Sequence, residues 1–462
     1  MNKLRLMIAI WAGKLVIILS RLLGNQGSAY PGYLARRIYP DVLRVLSSRV
    51  ERGTVIITGT NGKTTTSNLL ASAIREAGFR LVHNQAGANM LAGITTAFIN
   101  AADLSGKNSF DYALLETDEA NVPLLLDEIK ADYLLVTNFF RDQLDRYGEL
   151  DTMIGLIREA ALKHRLELVL NADDPLSKAF QDKALILHFF SFAPTIYDSL
   201  RSQESREGRY CLVCGQELIY HRFHYAQLGK YTCPGCGQVN PPAEYLGERL
   251  RMEPLVEFEV GSAIIRSQYQ GFFNAYNLLA AFAMSKTLGI GEPVIEKAFA
   301  AFRPQAGRME YFEIQGKPCW LVLVKNPTGV NQSLSAVLNG RGSKNLFFAL
   351  NDNAQDGRDV SWIWDADFEL LEPGDNDIVS MVCSGQRSGD IAVRVKYAGL
   401  KADKIKIIPD LAKGIKSTLE GKGQLYYILC TYTALFAARK IMVDLQHKSI
   451  EKKEKPARAA GS

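Results

Sequence analysis

The stretch TVIITGTNGKTTTSNLL, residues 54–70, decides the fold class. Residues 54–58 form a β-branched run that predicts a buried strand, and residues 67–77 predict a helix. Lys63 opens this helix after a turn made of Gly59, Thr60, Asn61 and Gly62. Backbone N–H groups at a helix N-terminus, with the helix dipole behind them, form an anion site. The stretch therefore predicts a phosphate-binding loop in an α/β fold.

The side chains that follow the turn are suited to the phosphates and metal ion of a nucleotide. Lys63 can reach the β- and γ-phosphates, and the hydroxyl of Thr64 can ligate Mg²⁺. Thr65 is the last residue of the predicted loop. A strict phosphate loop would also have glycine at position 57, where this chain has Ile57. Because strand, Gly-Lys-Thr-Thr and helix occur together, we still predict that residues 59–65 bind a nucleotide.

Length and composition indicate a globular protein of two or three domains, because 462 residues are too many for one compact core. The hydrophobic content of 47% and charged content of 22% are those of ordinary globular chains. The net charge is +5, and no basic block interleaved with aromatic residues occurs, which disfavours nucleic-acid binding. The final run EKKEKPARAAGS lacks apolar residues and predicts a disordered tail over 449–462.

The apolar N-terminal run LRLMIAIWAGKLVIILSRLL is open to two interpretations. Lys14 and Arg21 interrupt it and no small-residue cleavage site follows, which argues against a signal peptide. A spanning helix would need about 20 residues with few or no charges. The helical spacing favours an amphipathic helix packed on the body of the protein, and an interfacial helix at a bilayer is the alternative.

Four of the seven cysteines form two knuckles, CLVC and CPGC, that predict a structural zinc site. The predicted ligands are Cys211, Cys214, Cys233 and Cys236. Gly215 and Gly237 allow the tight turns that the knuckles require. Two redox pairs or buried thiols are the alternative, but neither needs paired knuckles of this length. Four thiolates leave no position for water, so the predicted zinc is structural rather than catalytic. Metal binding also suits the reducing cytosol better than disulfides.

Several motifs, in the right order, resemble those of the Mur ligase family. GTNGKTT resembles the ATP loop of that family, and YALLETDEA ends a strand at Glu116, placed like its Mg²⁺-binding glutamate. YLLVTNFFRDQLDRYGE and LVLNADDP resemble two further strands with their turns. GFFNAYNLLAA carries Asn274 and Asn277, where the family contacts the nucleotide, and FRPQAGRME carries Arg308, which matches an arginine that reaches ATP.

This resemblance runs from about residue 40 to 445 and implies a definite chemistry. Family members bind ATP and Mg²⁺, phosphorylate a carboxylate, and let an amine attack the acyl phosphate. The implied Mg²⁺ ligands are Thr64 and Glu116, and Lys63 and Glu116 are the implied catalytic residues of the ligase site. Taken singly, Glu116 fits a surface carboxylate, Asn277 a helix cap, and Arg308 a surface ion pair.

Departures from the family pattern resemble one amidating branch of it. Gln143 stands where many members have a histidine, and VKNPTGVNQ, residues 324–332, replaces the usual stretch of the third domain. NDNAQDGRDVSWIWD and CSGQRSGDIAVRVKYAGL match that branch. The resemblance implies amidation of the α-carboxylate of D-isoglutamate in lipid II, with ammonia from the glutaminase partner GatD, in the cytoplasm or at the inner face of the membrane. A stand-alone ligase that adds an amino acid is the alternative.

The acidic run offers candidates for contact with that partner, namely Asp352, Asp356, Asp359 and Asp365. The plain interpretation is a solvated loop before a helix, but the resemblance implies that one carboxylate orients the catalytic histidine of the glutaminase. We predict Asp359 first and Asp356 second for this role. The chain has no Gly-x-Cys-x-Gly nucleophile elbow and only 6 histidines, so its ammonia must come from elsewhere.

The predicted architecture is Mur ligase-like. Residues 1–50 form a helical lead-in, and residues 51–301 form a doubly wound parallel-sheet ATP-binding domain with the zinc ribbon inserted at about 205–240. Residues 302–448 form a C-terminal α/β domain. Two other functions stay open, an ATPase that acts as a switch and a zinc-ribbon binding module with a vestigial nucleotide site.

Overall fold

The computed structural model describes residues 2–22, 27–84, 88–140, 150–200, 207–252, 255–269, 271–303, 307–339, 342–353, 355–372 and 377–459. These residues form two compact units. The first unit holds the described residues up to Phe302, except Tyr269 and Gly271, and the second holds those from Arg303 onward. Each unit contains its own large sheet and its own hydrophobic core.

A nine-stranded sheet forms the centre of the first unit. The strands of this unit are Val50–Thr58 (β1), Leu81–His83 (β2), Phe110–Glu116 (β3), Tyr133–Val136 (β4), Glu167–Asn171 (β5), Ile186–Phe192 (β6), Ile219–Tyr225 (β7), Leu228–Thr232 (β8), Tyr245–Arg251 (β9), Val256–Val260 (β10) and Ala263–Ser267 (β11). The order across the large sheet is β11-β10-β9-β6-β5-β4-β1-β3-β2. All neighbours from β9 to β2 are parallel. The predicted α/β class is confirmed.

The remaining edge of this sheet is antiparallel. β10 pairs antiparallel with both β9 and β11. Only Gly261 and Ser262 connect β10 to β11. A parallel pair needs a crossover of a dozen or more residues, so this short connection permits only a hairpin. The sheet is therefore parallel around the phosphate loop and antiparallel at the edge that follows the cysteine knuckles in the chain.

Nine α-helices among the described residues complete the first unit. They are Asn2–Leu22 (α1), Tyr30–Ile38 (α2), Val42–Ser47 (α3), Lys63–Glu76 (α4), Leu91–Ala101 (α5), Val122–Leu126 (α6), Leu150–His164 (α7), Phe272–Thr287 (α8) and Glu292–Ala301 (α9). α4 packs against α8 and α9 and has Leu69, Leu70 and Ile74 fully buried. Because β1 is also buried from Val55 to Ile57, the loop between β1 and α4 is fixed at both ends.

α1 has two apolar faces. Ala9, Ile10 and Ile17 are buried in the core of the first unit. A Cβ atom added at Gly13 of this inner face would lie 3.0 Å from the side chain of Ile99 on α5. The helix thus packs on the body of the protein, as the favoured interpretation predicts, but its opposite face is apolar and exposed rather than polar. Among the described residues, none of the helices is long and apolar enough to span a membrane.

A small sheet of β7 and β8 carries the cysteine knuckles. The two strands pair antiparallel, and Ala226 and Gln227 form the connection between them. Leu218 and Tyr231 pack with Cys211 and Cys233 in a separate hydrophobic cluster. So few buried side chains make a weak core, and small modules of this kind depend on a bound metal for stability.

A six-stranded sheet forms the centre of the second unit. The strands and helices are Arg308–Ile314 (β12), Lys317–Leu323 (β13), Lys344–Ala349 (β14), Ile378–Ser384 (β15), Ile405–Ile407 (β16), Leu425–Cys430 (β17), Pro327–Asn339 (α10), Ser388–Tyr397 (α11), Leu411–Leu419 (α12) and Tyr432–Ala459 (α13). The order is β12-β13-β17-β14-β15-β16, and only the β12–β13 pair is antiparallel.

The last helix extends into the tail for which the composition predicts disorder. α13 continues to Ala459, whereas the predicted disordered tail begins at residue 449. Lys, Glu, Ala and Arg dominate this segment and have high intrinsic helix propensity. This segment can therefore form a helix without apolar residues, although their absence was the basis for predicting disorder.

Candidate nucleotide site and cysteine cluster

The phosphate loop lies between two buried elements. β1 ends at Thr58 and α4 begins at Lys63, so the turn comprises residues 59–62. Ile57 lies within β1, is fully buried, and is in register with Glu116 of β3. The position at which the sequence lacks a glycine is therefore an interior strand position, where no tight turn requires one. The same register brings Glu116 to the edge of the sheet at which the turn begins.

The two glycines of the turn are required by its geometry. Gly59 has a φ of +117° and Gly62 a φ of +85°, both in the region that favours glycine. A Cβ atom at Gly59 would lie 2.4 Å from the hydroxyl of Thr137. A Cβ atom at Gly62 would lie 2.0 Å from the amide oxygen of Asn277. Any side chain at either position would therefore collide with the residues that surround the loop.

Thr137 and Asn138, which follow β4, hold the loop in place. The N–H of Asn61 donates to the side-chain oxygen of Asn138 over 3.0 Å, and the hydroxyl of Thr137 donates to the carbonyl of Asn61 over 2.7 Å. The N–H of Thr60 donates to the carbonyl of Asn138 over 3.0 Å. Sequence reasoning noted the Thr-Asn pair as part of a motif but did not include it among the site residues.

Lys63 is buried and paired with acidic groups. Its ammonium donates to the carbonyl of Gly59 over 2.6 Å and lies 3.3 Å from the carboxylate of Glu119. A carboxylate oxygen of Asp118 lies 3.7 Å from the same ammonium. Lys63 is 7% exposed and Glu119 is 7% exposed, so their charges compensate each other within the protein. Sequence reasoning missed Glu119, although it stands in the quoted run YALLETDEA.

Thr64 and Glu116 form a second polar pair beside Lys63. The hydroxyl of Thr64 donates to a carboxylate oxygen of Glu116 over 2.9 Å. Asn84 fixes the backbone at Glu116, since its amide oxygen accepts from the Glu116 N–H and its amide nitrogen donates to the Glu116 carbonyl. A hydroxyl and a carboxylate oxygen this close are suitable hard ligands for Mg²⁺. The structure thus places Thr64 and Glu116 in contact at the start of α4, where Lys63 is the preceding residue.

Two of the four remaining ATP-binding candidates lie on α8 next to the turn. Asn277 faces Gly62, and its amide nitrogen donates to the amide oxygen of Asn274 over 3.1 Å. Both asparagines and Thr65 of α4 are buried. Their direct structural effect is to pack α8 against the start of α4.

Two other predictions concern residues that the structure describes only in part or not at all. Arg308 is the first residue of β12 in the second unit, and its side chain is not among those described. The aspartate-rich turn with Gln143 belongs to residues 141–149, which also lie outside the described residues.

The four knuckle cysteines converge on one point. All four sulfur atoms lie within 4.8 Å of one another. The Sγ atoms of Cys211 and Cys236 are 3.6 Å apart, and those of Cys214 and Cys233 are 3.3 Å apart. Tetrahedral zinc with Zn–S bonds of about 2.3 Å places its sulfurs about 3.8 Å apart, so the cluster fits this ion. The other three cysteines, Cys319, Cys383 and Cys430, are buried elsewhere, and burial raises the pKa of each thiol.

Both knuckles share one backbone pattern. The N–H of Cys211 donates to the carbonyl of Gln216, and the N–H of Gly215 donates back to the carbonyl of Cys211. In the second knuckle Cys233, Gln238 and Gly237 repeat the same two bonds. This repetition presents the two pairs of thiols in equivalent geometry, as expected of a zinc ribbon.

The hairpin of the ribbon reaches the segment that holds the phosphate loop. The amide nitrogen of Gln227, at the tip, donates to the carbonyl of Phe139. The Phe139 N–H donates to the carboxylate of Asp174 over 2.8 Å, and the next residue, Phe140, donates its N–H to the hydroxyl of Thr60 over 3.0 Å. Burial raises the pKa of Asp174 to about 6. A continuous chain of contacts therefore links the ribbon to the turn.

A salt bridge adds a second anchor for the hairpin. Lys230 of β8 lies 2.7 Å from the carboxylate of Asp173, which also accepts from the phenol of Tyr276 on α8. Asp173 and Asp174 belong to the NADD turn that the sequence analysis singled out. Their structural role is to join the ribbon, the sheet and α8.

The two candidate aspartates of the second unit have different surroundings. Asp359 is exposed and accepts from the N–H and hydroxyl of Ser361, and these hydrogen bonds lower its pKa. Asp356 is buried and accepts from the N–H of Thr433 over 2.7 Å and from its hydroxyl. Because Thr433 lies in the first turn of α13, Asp356 binds the start of that helix. Asp359 is the one with an outward carboxylate.

Comparison with known proteins adds two family matches and several relatives. Residues 57–233 match the Mur ligase middle domain, and residues 323–435 match the family described as MurT ligase C-terminal. The chain is 37% identical over 415 residues to the lipid II isoglutaminyl synthase (glutamine-hydrolyzing) subunit MurT of Staphylococcus aureus strain N315, covering 90% of this chain and 93% of the relative. It is 36% identical over 439 residues to the protein of the same name from Streptococcus pneumoniae, covering 93% and 95%.

Solved structures show the same fold at lower identity. A pseudomurein peptide ligase type C from Methanothermus fervidus has a TM-score of 0.67 at 20% identity, covering 87% of this chain and 80% of that one. MurF from Thermotoga maritima, solved with ADP, has a TM-score of 0.60 at 16% identity, covering 91% and 85%. The Mur ligase-like fold is thereby confirmed.

The matches cover both units, and the relatives align along nine-tenths of the chain. Together with a phosphate loop whose lysine, threonine and glutamate converge, they show that this chain belongs to the MurT family of Mur ligases.

Proposed function

We propose that the chain is the ligase subunit of a lipid II isoglutaminyl synthase, which amidates the α-carboxylate of D-isoglutamate at the expense of ATP. Relatives with 36–37% identity carry the name of that enzyme. The observation that carries the proposal is the convergence of Lys63, Thr64 and Glu116 at the loop of a chain in this family. Because the substrate of these relatives is a lipid, we place the reaction at the inner face of the membrane.

The reaction has two steps in this proposal. A carboxylate oxygen attacks the γ-phosphorus of ATP, ADP leaves with the bonding electron pair, and an acyl phosphate forms. Ammonia then attacks the acyl carbon, phosphate leaves, and the amide remains after loss of a proton. The first step joins two anions, so positive charge at the loop must offset their repulsion. Lys63 supplies this charge once it exchanges its contact with Glu119 for one with the phosphates.

Thr64 and Glu116 would hold Mg²⁺, which would neutralise phosphate oxygens when bound. The turn residues 59–62 supply backbone N–H groups at the start of α4, where the helix dipole favours anions. Asn274, Asn277 and Arg308 remain proposed ATP contacts on the resemblance alone. The cysteine cluster is proposed to bind structural Zn²⁺.

Ammonia is proposed to come from a separate glutaminase subunit, GatD. Among the described residues, the cysteines outside the knuckles are all buried, so none offers an accessible nucleophile for glutamine. The relatives are named as subunits of a glutamine-hydrolysing enzyme. Asp359, with its exposed carboxylate, is proposed to orient the histidine of the partner, and Asp356 is the second candidate.

The test is reconstitution with a lysine variant. The chain, GatD, ATP, glutamine and lipid II should together give amidated lipid II, which mass spectrometry distinguishes because an amino group replaces a hydroxyl. Lys63→Ala should lower the rate by about 100-fold or more, since a charge at the developing phosphoryl group is lost. Lys163→Ala, an exposed lysine on α7, should have no effect.

Because Lys63 compensates Glu119, the lysine variant needs a control for stability. Lys63→Ala/Glu119→Gln removes both charges, and we expect it to melt near the parent but to remain inactive. Full ATP-dependent amidation by Lys63→Ala would contradict the site. A product that has gained an amino acid would instead favour the stand-alone ligase.

A further inference from the structure

The outer face of α1 carries an unbroken apolar stripe. Its members are Leu4, Ile8, Trp11, Leu15, Ile18, Leu19 and Leu22, each 42–78% exposed. With 3.6 residues per turn these positions fall within an arc of about 100°, and the helix is about 30 Å long. Ala9, Ile10 and Ile17 on the other side account for the packing of α1 on the first unit. The stripe therefore does not contribute to the core.

Further exposed apolar and aromatic side chains lie on segments that contact α1. The indole N–H of Trp11 donates to the carbonyl of Leu104 over 2.8 Å, and the side chain of Leu104 is 62% exposed. On α2, which packs against α1, Tyr30 and Tyr33 are also exposed. Tryptophan and tyrosine are enriched where proteins meet the interface between lipid and water.

Cations border the stripe on both sides. Lys3, Lys14 and Arg21 lie along one border and Arg5 along the other, and α1 contains no acidic residue. Lys3, Arg5 and Arg21 are exposed. Lys14 is partly committed, since it donates to the carbonyl of Asn100 and Asp103 lies near it. An apolar stripe with cationic borders is complementary to an anionic membrane surface.

We propose that α1 lies in the plane of an anionic bilayer, with this stripe among the acyl chains and the cations at the headgroups. A stripe one helix wide along the full length of α1 fits a planar surface better than a compact protein hot spot. The inference rests on the proposed function for its biological role, because membrane binding by α1 would bring the ligase to a lipid-linked substrate. Its physical basis in α1 is separate from the nucleotide site.

The test is cosedimentation of the full chain with vesicles of phosphatidylcholine with and without phosphatidylglycerol. We expect binding to the anionic vesicles and its loss in Leu15→Glu/Ile18→Glu, which changes only exposed positions. Leu124→Glu on α6, where the leucine is 53% exposed, is the matched control and should bind like the parent. Arg5→Gln/Arg21→Gln should weaken binding by about fivefold for each charge removed.

Three outcomes would overturn the proposal. The first is no binding to anionic vesicles, or equal binding by Leu15→Glu/Ile18→Glu. The second is self-association of the parent, seen by light scattering, that this variant abolishes, because the stripe would then face a second copy. The third is loss of vesicle binding in the complex with the glutaminase.

The vesicle assay contains neither ATP nor lipid II, so its result is independent of the amidation proposal. With detergent-solubilised lipid II, Leu15→Glu/Ile18→Glu should amidate at the parental rate. Failure of the chemistry and failure of membrane docking are therefore distinguishable.

Discussion

At the scale of single residues, two aspartates three positions apart have opposite environments. Asp356 is buried against the first turn of α13, whereas Asp359 is exposed and accepts hydrogen bonds from the nearby Ser361. A carboxylate that holds a helix start contributes to stability, while an outward carboxylate is free to act on another protein. Composition alone could not separate the two, because both lie in one acidic run.

The corresponding variants should separate in kinetics and stability. Asp359→Asn should keep GatD binding and ammonium-driven amidation but lose glutamine-driven amidation, because the phosphate loop and the proposed Mg²⁺ ligands lie in the first unit. Asp356→Ala should lower the free energy of unfolding by about 1 kcal/mol, the usual cost of losing a helix-capping carboxylate. Rates with glutamine and with ammonium, together with urea titrations, measure both effects. A parallel fall of the two rates in both variants would contradict a role in the partner's triad.

At the scale of elements, the zinc ribbon is more than an appended module. Its hairpin tip contacts Phe139, and the next residue, Phe140, contacts the turn through Thr60. The spacing of the cysteines was enough to predict the ribbon, because a metal site depends on local sequence. The contact of its tip was not predictable, because residues 88 positions apart in the chain meet there.

Loss of the tip contact should weaken nucleotide binding without removing the metal. We expect Gln227→Ala to raise the dissociation constant of Mg-ATP several-fold, corresponding to about 1 kcal/mol for one buried hydrogen bond. Cys211→Ser should release zinc and give an equal or larger loss. His221→Ala, an exposed position on β7, is the control. Elemental analysis and nucleotide titration are the measurements, and unchanged affinity in both Gln227→Ala and Cys211→Ser would show that the ribbon does not support the loop.

At the scale of the whole molecule, the described residues fall into two units with separate sheets and cores. The parallel sheet of the first unit was predictable, because buried strands alternating with helices leave a strong pattern. The antiparallel edge from β9 to β11 was harder to predict, because its short strands alternate in burial and follow the inserted ribbon. The environment of the apolar outer face of α1 was not predictable, because hydrophobic periodicity identifies an apolar face but not the protein or lipid that contacts it.

Two compact units should give at least two thermal transitions in calorimetry. A non-hydrolysable Mg-ATP analogue at about 100 times its dissociation constant should stabilise the first unit by about 2.7 kcal/mol. The transition that shifts with the nucleotide should be the one that a zinc chelator lowers, and Lys63→Ala should abolish the shift. A single transition in all conditions would mean that the two units unfold as one.

The pairing of Lys63 with Glu119 has a consequence for the order in which ligands enter. Free ATP would bring its phosphates towards Glu116, Asp118 and Glu119 while Lys63 is already engaged. A nucleotide that arrives with its metal ion can replace both members of this ion pair at once. Its phosphates would pair with Lys63, and its metal ion would pair with a carboxylate. Binding at the loop therefore exchanges one ion pair for two new ones. We expect the protein to bind metal-bound ATP in preference to free ATP when both are present.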